Sequence, residues 1–175
     1  MKGILFKDWK IKAIAEDDRE WQTRRLGGLK EINKEPDEWV YLKGSSPKGK
    51  FHFYNETRNC RMTIKPRYQI GEVVYIKEAW CPLIAPVYNL LDPTIPTVYK
   101  QEMDAGGATL PKEFKWHSPM RMPEWAARLF GKITAIKIGR LKEITWEEAE
   151  QEGFKRQEWE NNLWVFVYSF KKAEK

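Results

Sequence analysis

Cysteine and histidine are scarce in this chain of 175 residues, which contains two of each. Cys60 and Cys81 follow no metal-ligand spacing, and neither His52 nor His117 lies near a second histidine or cysteine in the sequence. Two thiols do not make a disulfide framework, and a zinc site needs a close set of such ligands. We therefore expect no disulfide framework, no metal site and a reducing compartment, the cytoplasm.

Long apolar runs are also missing. No stretch approaches the roughly 20 apolar residues that a membrane-spanning helix needs. Residues 1–12 alternate apolar with charged side chains instead of forming the apolar core of a signal peptide. A glycine-rich phosphate loop and a nucleophile elbow are absent as well. The sequence predicts no membrane anchor, no export and no cofactor.

Positive charge and aromatic side chains are plentiful by contrast. The formal net charge is +6, from 31 basic and 25 acidic residues, and Phe, Trp and Tyr make up 14% of the chain. A basic surface favours polyanions because each cation near a phosphate releases a counterion. Much of this charge has an ordinary alternative as solvated surface, and most of the aromatic residues are expected in the core. A few aromatic side chains are left as candidate stacking platforms for bases.

Hydrophobic periodicity predicts a single domain, 1–175, of mixed α and β structure. Helical spacing occurs at 9–15 and 122–129, and a third helix follows Thr145, with Glu148 completing a capping box and Gly153 ending it. The segment at 71–80 is the clearest strand and is expected at the centre of a sheet. The predicted strands are 2–6, 39–42, 51–54, 61–64, 71–80, 131–140 and 163–170.

Residues 81–118 are rich in proline and glycine and are predicted to be a long insertion loop with at most one short strand, near 97–100. Loops of this length usually carry a function or lack order. Residues 171–175 are expected to fray. The loop contains apolar side chains that would form a protein-binding patch if exposed: Leu83, Ile84, Val87, Leu90 and Leu91.

Several segments carry a family resemblance when taken in order. They are Gln-Thr-Arg-Arg at 22–25, Gly-Glu-Val-Val-Tyr-Ile-Lys-Glu-Ala-Trp at 71–80, the stretch 116–128 beginning Trp-His-Ser-Pro-Met-Arg, the stretch 140–153, and Trp-Val-Phe-Val-Tyr at 164–168. Together they resemble the ASCH domain of the PUA-like superfamily, particularly its small phage and bacterial members. The resemblance implies an α+β fold built on a small mixed β-barrel with flanking helices and a cleft between the barrel and the first helix. It also implies RNA binding.

Some members of that family hydrolyse the amide of N4-acetylcytidine or cleave RNA, using a lysine, a threonine and a glutamate. The resemblance places Thr23 on the threonine and Glu152 on the glutamate, whereas the lysine position falls on Glu20. A carboxylate there would repel a developing oxyanion, which argues against amide hydrolysis unless Arg19, Arg24 or Lys77 supplies the positive charge. Glu152 also has a simpler interpretation as a solvated residue at the end of its helix.

Arg24 and Arg25 offer two guanidinium groups suited to bidentate contact with phosphate. The alternative is a solvated basic turn. Glu78 follows the apolar face of the central strand inward and therefore needs a partner, for which we expect Arg24 or Arg25. A structural ion pair and a contact to a base edge are equally good interpretations of Glu78.

Lys77 and Arg121 are further candidates for phosphate contact, and Trp80 and Trp116 are candidates for stacking on a base. Trp125 belongs instead to an apolar stripe that is typical of a core.

The function predicted first is therefore a module that binds RNA or a modified nucleotide. The alternatives are a hydrolase of acylated cytidine or RNA that uses Thr23 and Glu152, and a protein-binding factor that acts through 81–118.

Overall fold

A computed structural model describes residues 1–43, 49–82, 97–107, 112 and 114–174. The predicted α+β class is confirmed. The strands are β1 (Lys2–Leu5), β2 (Trp21–Arg25), β3 (Trp39–Tyr41), β4 (Phe51–Asn55), β5 (Cys60–Ile64), β6 (Val73–Lys77), β7 (Trp80–Pro82), β8 (Thr97–Tyr99), β9 (Phe130–Arg140) and β10 (Trp164–Ala173). The α-helices are α1 (Asp8–Glu16), α2 (Lys100–Ala105), α3 (Trp146–Glu152) and α4 (Arg156–Glu160).

The chain forms two compact units. The first comprises Met1–Arg19, Val73–Gly131 and Lys172–Lys175, and the second comprises Glu20–Glu72 and Lys132–Lys171. Short 3₁₀ turns occur in both, at Ile32–Lys34, Pro36–Glu38, Pro119–Arg121, Glu124–Ala126 and Leu141–Glu143.

The first unit is built around β6. This strand pairs in parallel with β1, in the register Ile4 opposite Ile76. On its other side the backbone N–H of Ile76 donates to the carbonyl of Leu129 at 2.9 Å, immediately before β9 begins. Val74 and Ile76 are almost fully buried. The β-branched segment at 71–80 therefore lies centrally in a sheet, as its composition predicts, although β6 ends at Lys77.

The predicted loop at 81–118 contains more regular structure than its prolines suggested. β7 pairs antiparallel with β8, with Trp80 opposite Tyr99, and β8 is followed directly by α2. Helix α2 carries an i, i+4 ion pair between Lys100 and Asp104, which supports a short exposed helix. The apolar residues of the predicted protein-binding patch lie outside the described residues.

The helix predicted at 122–129 is wrong. The segment forms one 3₁₀ turn, Glu124–Ala126, and Ala127 already has extended dihedral angles. Met122 and Ala126 are nevertheless buried in a cluster with Trp80. The apolar spacing thus predicts the buried side chains correctly. The backbone that buries them is an irregular segment in which Pro123 precedes a single 3₁₀ turn.

The second unit has β10 at its centre. The strand order is β9-β10-β2, and β2 pairs antiparallel with β10 so that Thr23 lies opposite Tyr168. Residues 165–170 are all buried, and five of these six are apolar or aromatic, Ser169 being the exception. A second sheet, in the order β3-β4-β5, packs Phe51 edge-on against Phe166 at 5.4 Å between ring centroids.

Helix α3 begins and ends as the sequence predicts. The hydroxyl of Thr145 accepts from the backbone N–H of Glu148 at 3.3 Å, and the Glu148 carboxylate accepts from the N–H of Thr145 at 3.0 Å. Gly153 has a φ of 93°, a left-handed conformation that glycine adopts without strain. The capping box fixes the start of the helix that carries Glu152.

Candidate nucleic-acid interface

Strand β2 is an outer strand of its sheet and positions several of the predicted site residues. Successive side chains of a strand point to opposite faces, so Thr23 and Arg25 share one face and Gln22 and Arg24 share the other. Thr23 is 1% exposed, whereas Arg24 and Arg25 are half-buried. The strand therefore presents a guanidinium group on each of its faces.

Glu152 and Arg24 are held together by two hydrogen bonds. The Glu152 carboxylate accepts from the backbone N–H of Arg24 at 2.7 Å and from its guanidinium at 3.0 Å. A carboxylate at the last turn of a helix opposes the helix dipole, and these contacts compensate it. Its side chain is 9% exposed, so the interpretation of Glu152 as a solvated residue is wrong.

Arg25 lies on the other face of β2, among aromatic and basic neighbours. Its guanidinium donates to the carbonyl of Arg24 at 3.4 Å. Tyr168 and Tyr68 meet edge-to-face at 5.2 Å, the hydroxyl of Tyr168 accepts from the backbone N–H of Arg67 at 3.2 Å, and the Arg67 guanidinium lies over the Tyr68 ring. We call Arg24, Arg25 and Arg67, together with Glu152, the arginine cluster.

The electrostatics of the cluster follow from its burial. Desolvation lowers the pKa of Arg25, and the positive charge of Arg67 lowers it further, whereas the charge of Glu152 and the phenol groups of Tyr68 and Tyr168 raise it. A cation partly stripped of water interacts more strongly with an anion than a fully hydrated one. The arginine cluster is therefore an electrostatically suitable place for a phosphate or another small oxyanion.

The two predicted catalytic residues are not joined in this arrangement. Among the described residues no hydrogen bond links the Thr23 hydroxyl to Glu152, and the Glu152 carboxylate already binds Arg24. Glu20, at the position of the family's lysine, is exposed and accepts from the Thr134 hydroxyl at 2.7 Å. In the described part of the chain, Thr23 and Glu152 therefore do not form a hydrogen-bonded pair of nucleophile and base.

The remaining candidates lie in the first unit. Glu78 is 1% exposed, and both its oxygens accept from the guanidinium of Arg128 at 2.8 Å. Arg128 also pairs with Glu102 and lies over the ring of Tyr99 at 4.6 Å. The expectation that Arg24 or Arg25 is the partner of Glu78 is therefore wrong, and the interpretation of Glu78 as one half of a structural ion pair accounts for its burial.

Lys77 and Arg121 differ in how they are held. The Lys77 ammonium donates to the carbonyl of Met120 at 3.0 Å and lies over the Tyr75 ring. Arg121 is exposed at the end of its 3₁₀ turn. Trp116 is half-buried, whereas Trp80 is 3% exposed and packs edge-to-face against Trp125 at 5.6 Å. Trp80 thus has a core position that leaves its ring little room to stack on a base.

Sequence reasoning missed three members of these groups: Arg67, Tyr68 and Arg128. The Lys-Pro-Arg-Tyr turn at 65–68 was a signal for the first two, because an arginine beside a tyrosine after a proline is a compact cationic and aromatic pair. Nothing local identifies Arg128, which lies 50 residues from Glu78 in the chain.

In the part of the chain that the structure describes, no three histidine, cysteine, aspartate or glutamate side chains are grouped so that they could hold a metal ion. Within the same residues, no helix is both long enough and apolar enough to cross a membrane.

Comparisons with family models, with curated proteins and with solved structures give no match to this chain.

Proposed function

We propose that the second unit binds single-stranded RNA or a nucleotide, with the arginine cluster as the contact to phosphate. The observation that carries this proposal is the partly desolvated guanidinium of Arg25, which interacts with the negative charge of Glu152 and the positive charge of Arg67. Phosphate recognition uses planar guanidinium groups because their N–H donors match two phosphate oxygens at once. The family resemblance to the ASCH domain and its PUA-like barrel forms part of the same proposal.

The surrounding aromatic side chains fit this role. Tyr68 and Tyr168 lie against the arginines and fix the backbone at Arg67. A rigid aromatic support lowers the conformational entropy that an arginine loses when it binds a ligand. The net charge of +6 adds a long-range attraction for polyanions.

The test is a fluorescence anisotropy titration of a labelled single-stranded RNA at several salt concentrations. Wild type is compared with the double variant Arg25→Gln, Arg67→Ala. A matched control, Lys30→Ala with Arg61→Ala, removes the same two positive charges from exposed positions outside the cluster. Arg24 is left intact because its loss would also remove a hydrogen-bond partner of Glu152.

We expect the cluster variant to bind much more weakly and with a shallower salt dependence. For single strands, each lost phosphate contact reduces the slope of log affinity against log salt by about 0.7. The control should shift the affinity modestly and keep the slope close to that of wild type. Equal losses in the two variants, or no binding by wild type at low salt, would overturn the proposal.

A further inference from the structure

A second group of aromatic and basic side chains in the second unit surrounds an open groove that the proposed phosphate contact does not use. The groove has a volume of about 600 Å³, which lies within the range of ligand sites. Its aromatic walls are Trp146, the first residue of α3, and Trp159 of α4, whose rings meet at 6.3 Å with an interplanar angle of 66°. Both indoles are half-buried, so part of each ring surface faces the groove.

Two cations lie against these rings. The guanidinium of Arg156 is 4.9 Å from the Trp146 ring centroid and 5.1 Å from that of Trp159, and the ammonium of Lys142 is 5.5 Å from Trp159. The groove is also lined by three carboxylates, those of Glu143, Glu147 and Glu148, but the groups placed over its aromatic rings are these two cations. A planar ring can stack on a guanidinium plane as it does on an indole, and a phosphate can pair with both cations.

The acidic residues at the groove accept hydrogen bonds from groups of their own turn or helix. The Glu143 carboxylate accepts from the backbone N–H of Arg140 at 3.0 Å, and that of Glu148 accepts from Thr145 in the capping box. The Glu147 carboxylate accepts from its own backbone N–H and from the Thr145 hydroxyl, and these bonds lower its pKa. These carboxylates accept hydrogen bonds at the beginning of their own turn or helix. The charged groups in contact with the two indole rings are the guanidinium of Arg156 and the ammonium of Lys142.

One wall of the groove, Trp159, is anchored to the core. The indole N–H of Trp159 donates to the carbonyl of Ile144 at 3.0 Å, and Trp159 packs against the cluster of Leu141, Val165 and Val167. Arg156 pairs through its Nε with Glu160, an exposed contact of the kind that contributes little energy. A guanidinium group has five N–H donors, so this pair does not exhaust its capacity to bind.

We infer that this groove binds a nucleobase with its attached phosphate, the base stacking on Trp146 and Arg156 and the phosphate pairing with Lys142 and Arg156. The ligand is either a free nucleotide or one nucleotide of an RNA strand. The second case rests on the proposed function, and the groove then holds another nucleotide of the RNA that binds the arginine cluster. Helix α3 supports binding of a strand, because it begins at Trp146 and ends at Glu152, which binds Arg24. The two ends are about 9 Å apart along the helix axis.

The experiment titrates the protein with adenosine 5′-monophosphate, with unphosphorylated adenosine and with a single-stranded RNA of about eight nucleotides. Tryptophan fluorescence reports base stacking, and anisotropy reports binding of the labelled RNA. The groove variants are Trp146→Leu and the pair Lys142→Ala, Arg156→Ala. Lys30→Ala with Arg61→Ala is the control of equal charge, and a urea transition verifies that each variant is folded. Trp159 is not replaced, because it packs against the core.

We expect either groove variant to weaken binding about tenfold, the typical effect of losing one stacked base. Weaker binding of the monophosphate in these variants, with adenosine binding less tightly than the monophosphate, identifies a site for free nucleotides. Weaker binding of the RNA alone identifies a groove that serves a strand.

The inference alone is overturned if both groove variants bind the monophosphate and the RNA as wild type does, while the Arg25 and Arg67 variant loses RNA binding. Monophosphate binding that depends on the groove, with no RNA binding at the arginine cluster, supports the inference and overturns the proposed function. Absence of binding by wild type to all three ligands overturns both.

Discussion

Glu78 and Arg128 form a buried, doubly hydrogen-bonded ion pair: each carboxylate oxygen accepts from the guanidinium at 2.8 Å, and the Glu78 side chain is 1% exposed. Replacing one partner leaves the other charge without compensation in a dry environment. Arg128→Met is therefore expected to lower the free energy of unfolding by about 3 kcal/mol. Urea denaturation measures this loss.

The exposed pair between Lys100 and Asp104 in the same unit is the control. Asp104→Asn should cost less than about 1 kcal/mol, because exposed ion pairs contribute little. A double variant, Glu78→Met with Arg128→Met, should recover part of the loss, since it removes both charges. Equal effects of Arg128→Met and Asp104→Asn would show that Glu78 is not held by Arg128 in solution.

Glu152 offsets part of the positive charge of the arginine cluster, because its carboxylate raises the pKa of Arg25 and binds Arg24. Glu152→Gln keeps an acceptor for the backbone N–H of Arg24 but removes the negative charge. We expect this variant to bind single-stranded RNA about twofold to tenfold more tightly, because an unfavourable charge near the phosphate is lost. Anisotropy at constant salt measures the change.

The same variant also distinguishes a binding module from the hydrolase that uses Thr23 and Glu152. In a hydrolase, loss of Glu152 abolishes turnover of an acylated cytidine, and Thr23→Ala has the same effect. In a binding module neither substitution changes a rate. RNA binding weakened by Glu152→Gln in a folded protein would contradict the electrostatic role assigned here.

Tyr168 links stability to alkaline pH. Burial raises the pKa of its phenol to about 12 from an ordinary value of 10.0. The unfolded chain releases this proton near pH 10 and the folded chain only near pH 12, so the stabilisation is complete below pH 10 and is lost as pH rises to 12. Urea midpoints measured from pH 9 upward should fall across this window.

Tyr168→Phe should flatten that dependence without abolishing it. Tyr99 has a pKa also raised to about 12, chiefly by burial, and it remains to titrate in the variant. The variant also loses the hydrogen bond to the backbone N–H of Arg67. A slope unchanged from wild type would mean that the Tyr168 phenol is not buried in solution.

Local sequence patterns predicted the helices and strands that are determined by residues close together in the chain. Alternation located β4, β5 and β9, and the Thr-x-x-Glu spacing with Gly153 located both ends of α3. The segment 122–129 was misassigned because its apolar spacing matches that of a helix. In the structure a single 3₁₀ turn after Pro123 is enough to bury Met122 and Ala126. Periodicity reports which side chains are buried more reliably than it reports the backbone that buries them.

The sequence predicted several individual residues of the site but not which of them contact each other. Arg24 and Glu152 were each singled out, yet their contact joins residues 128 positions apart, and no local pattern encodes it. The partner of Glu78 was predicted incorrectly for the same reason. Arg67 joins the arginine cluster, with Tyr68 beside it, because β10 brings the hydroxyl of Tyr168 to the turn that contains both residues.

The capping box of α3 gives a prediction that ties this local pattern to stability. Thr145→Ala removes the hydroxyl that accepts from the N–H of Glu148 and should cost about 1 kcal/mol, whereas Thr145→Ser keeps the acceptor and should cost much less. Gly153→Ala forces a side chain into a left-handed conformation and should cost about 1–2 kcal/mol. Urea denaturation measures all three variants. Because Trp146 is the first residue of α3 and lines the groove, Thr145→Ala should also weaken RNA binding, whereas Thr145→Ser should leave it unchanged. A Thr145→Ala protein as stable as the serine variant would show that the cap does not stabilise α3.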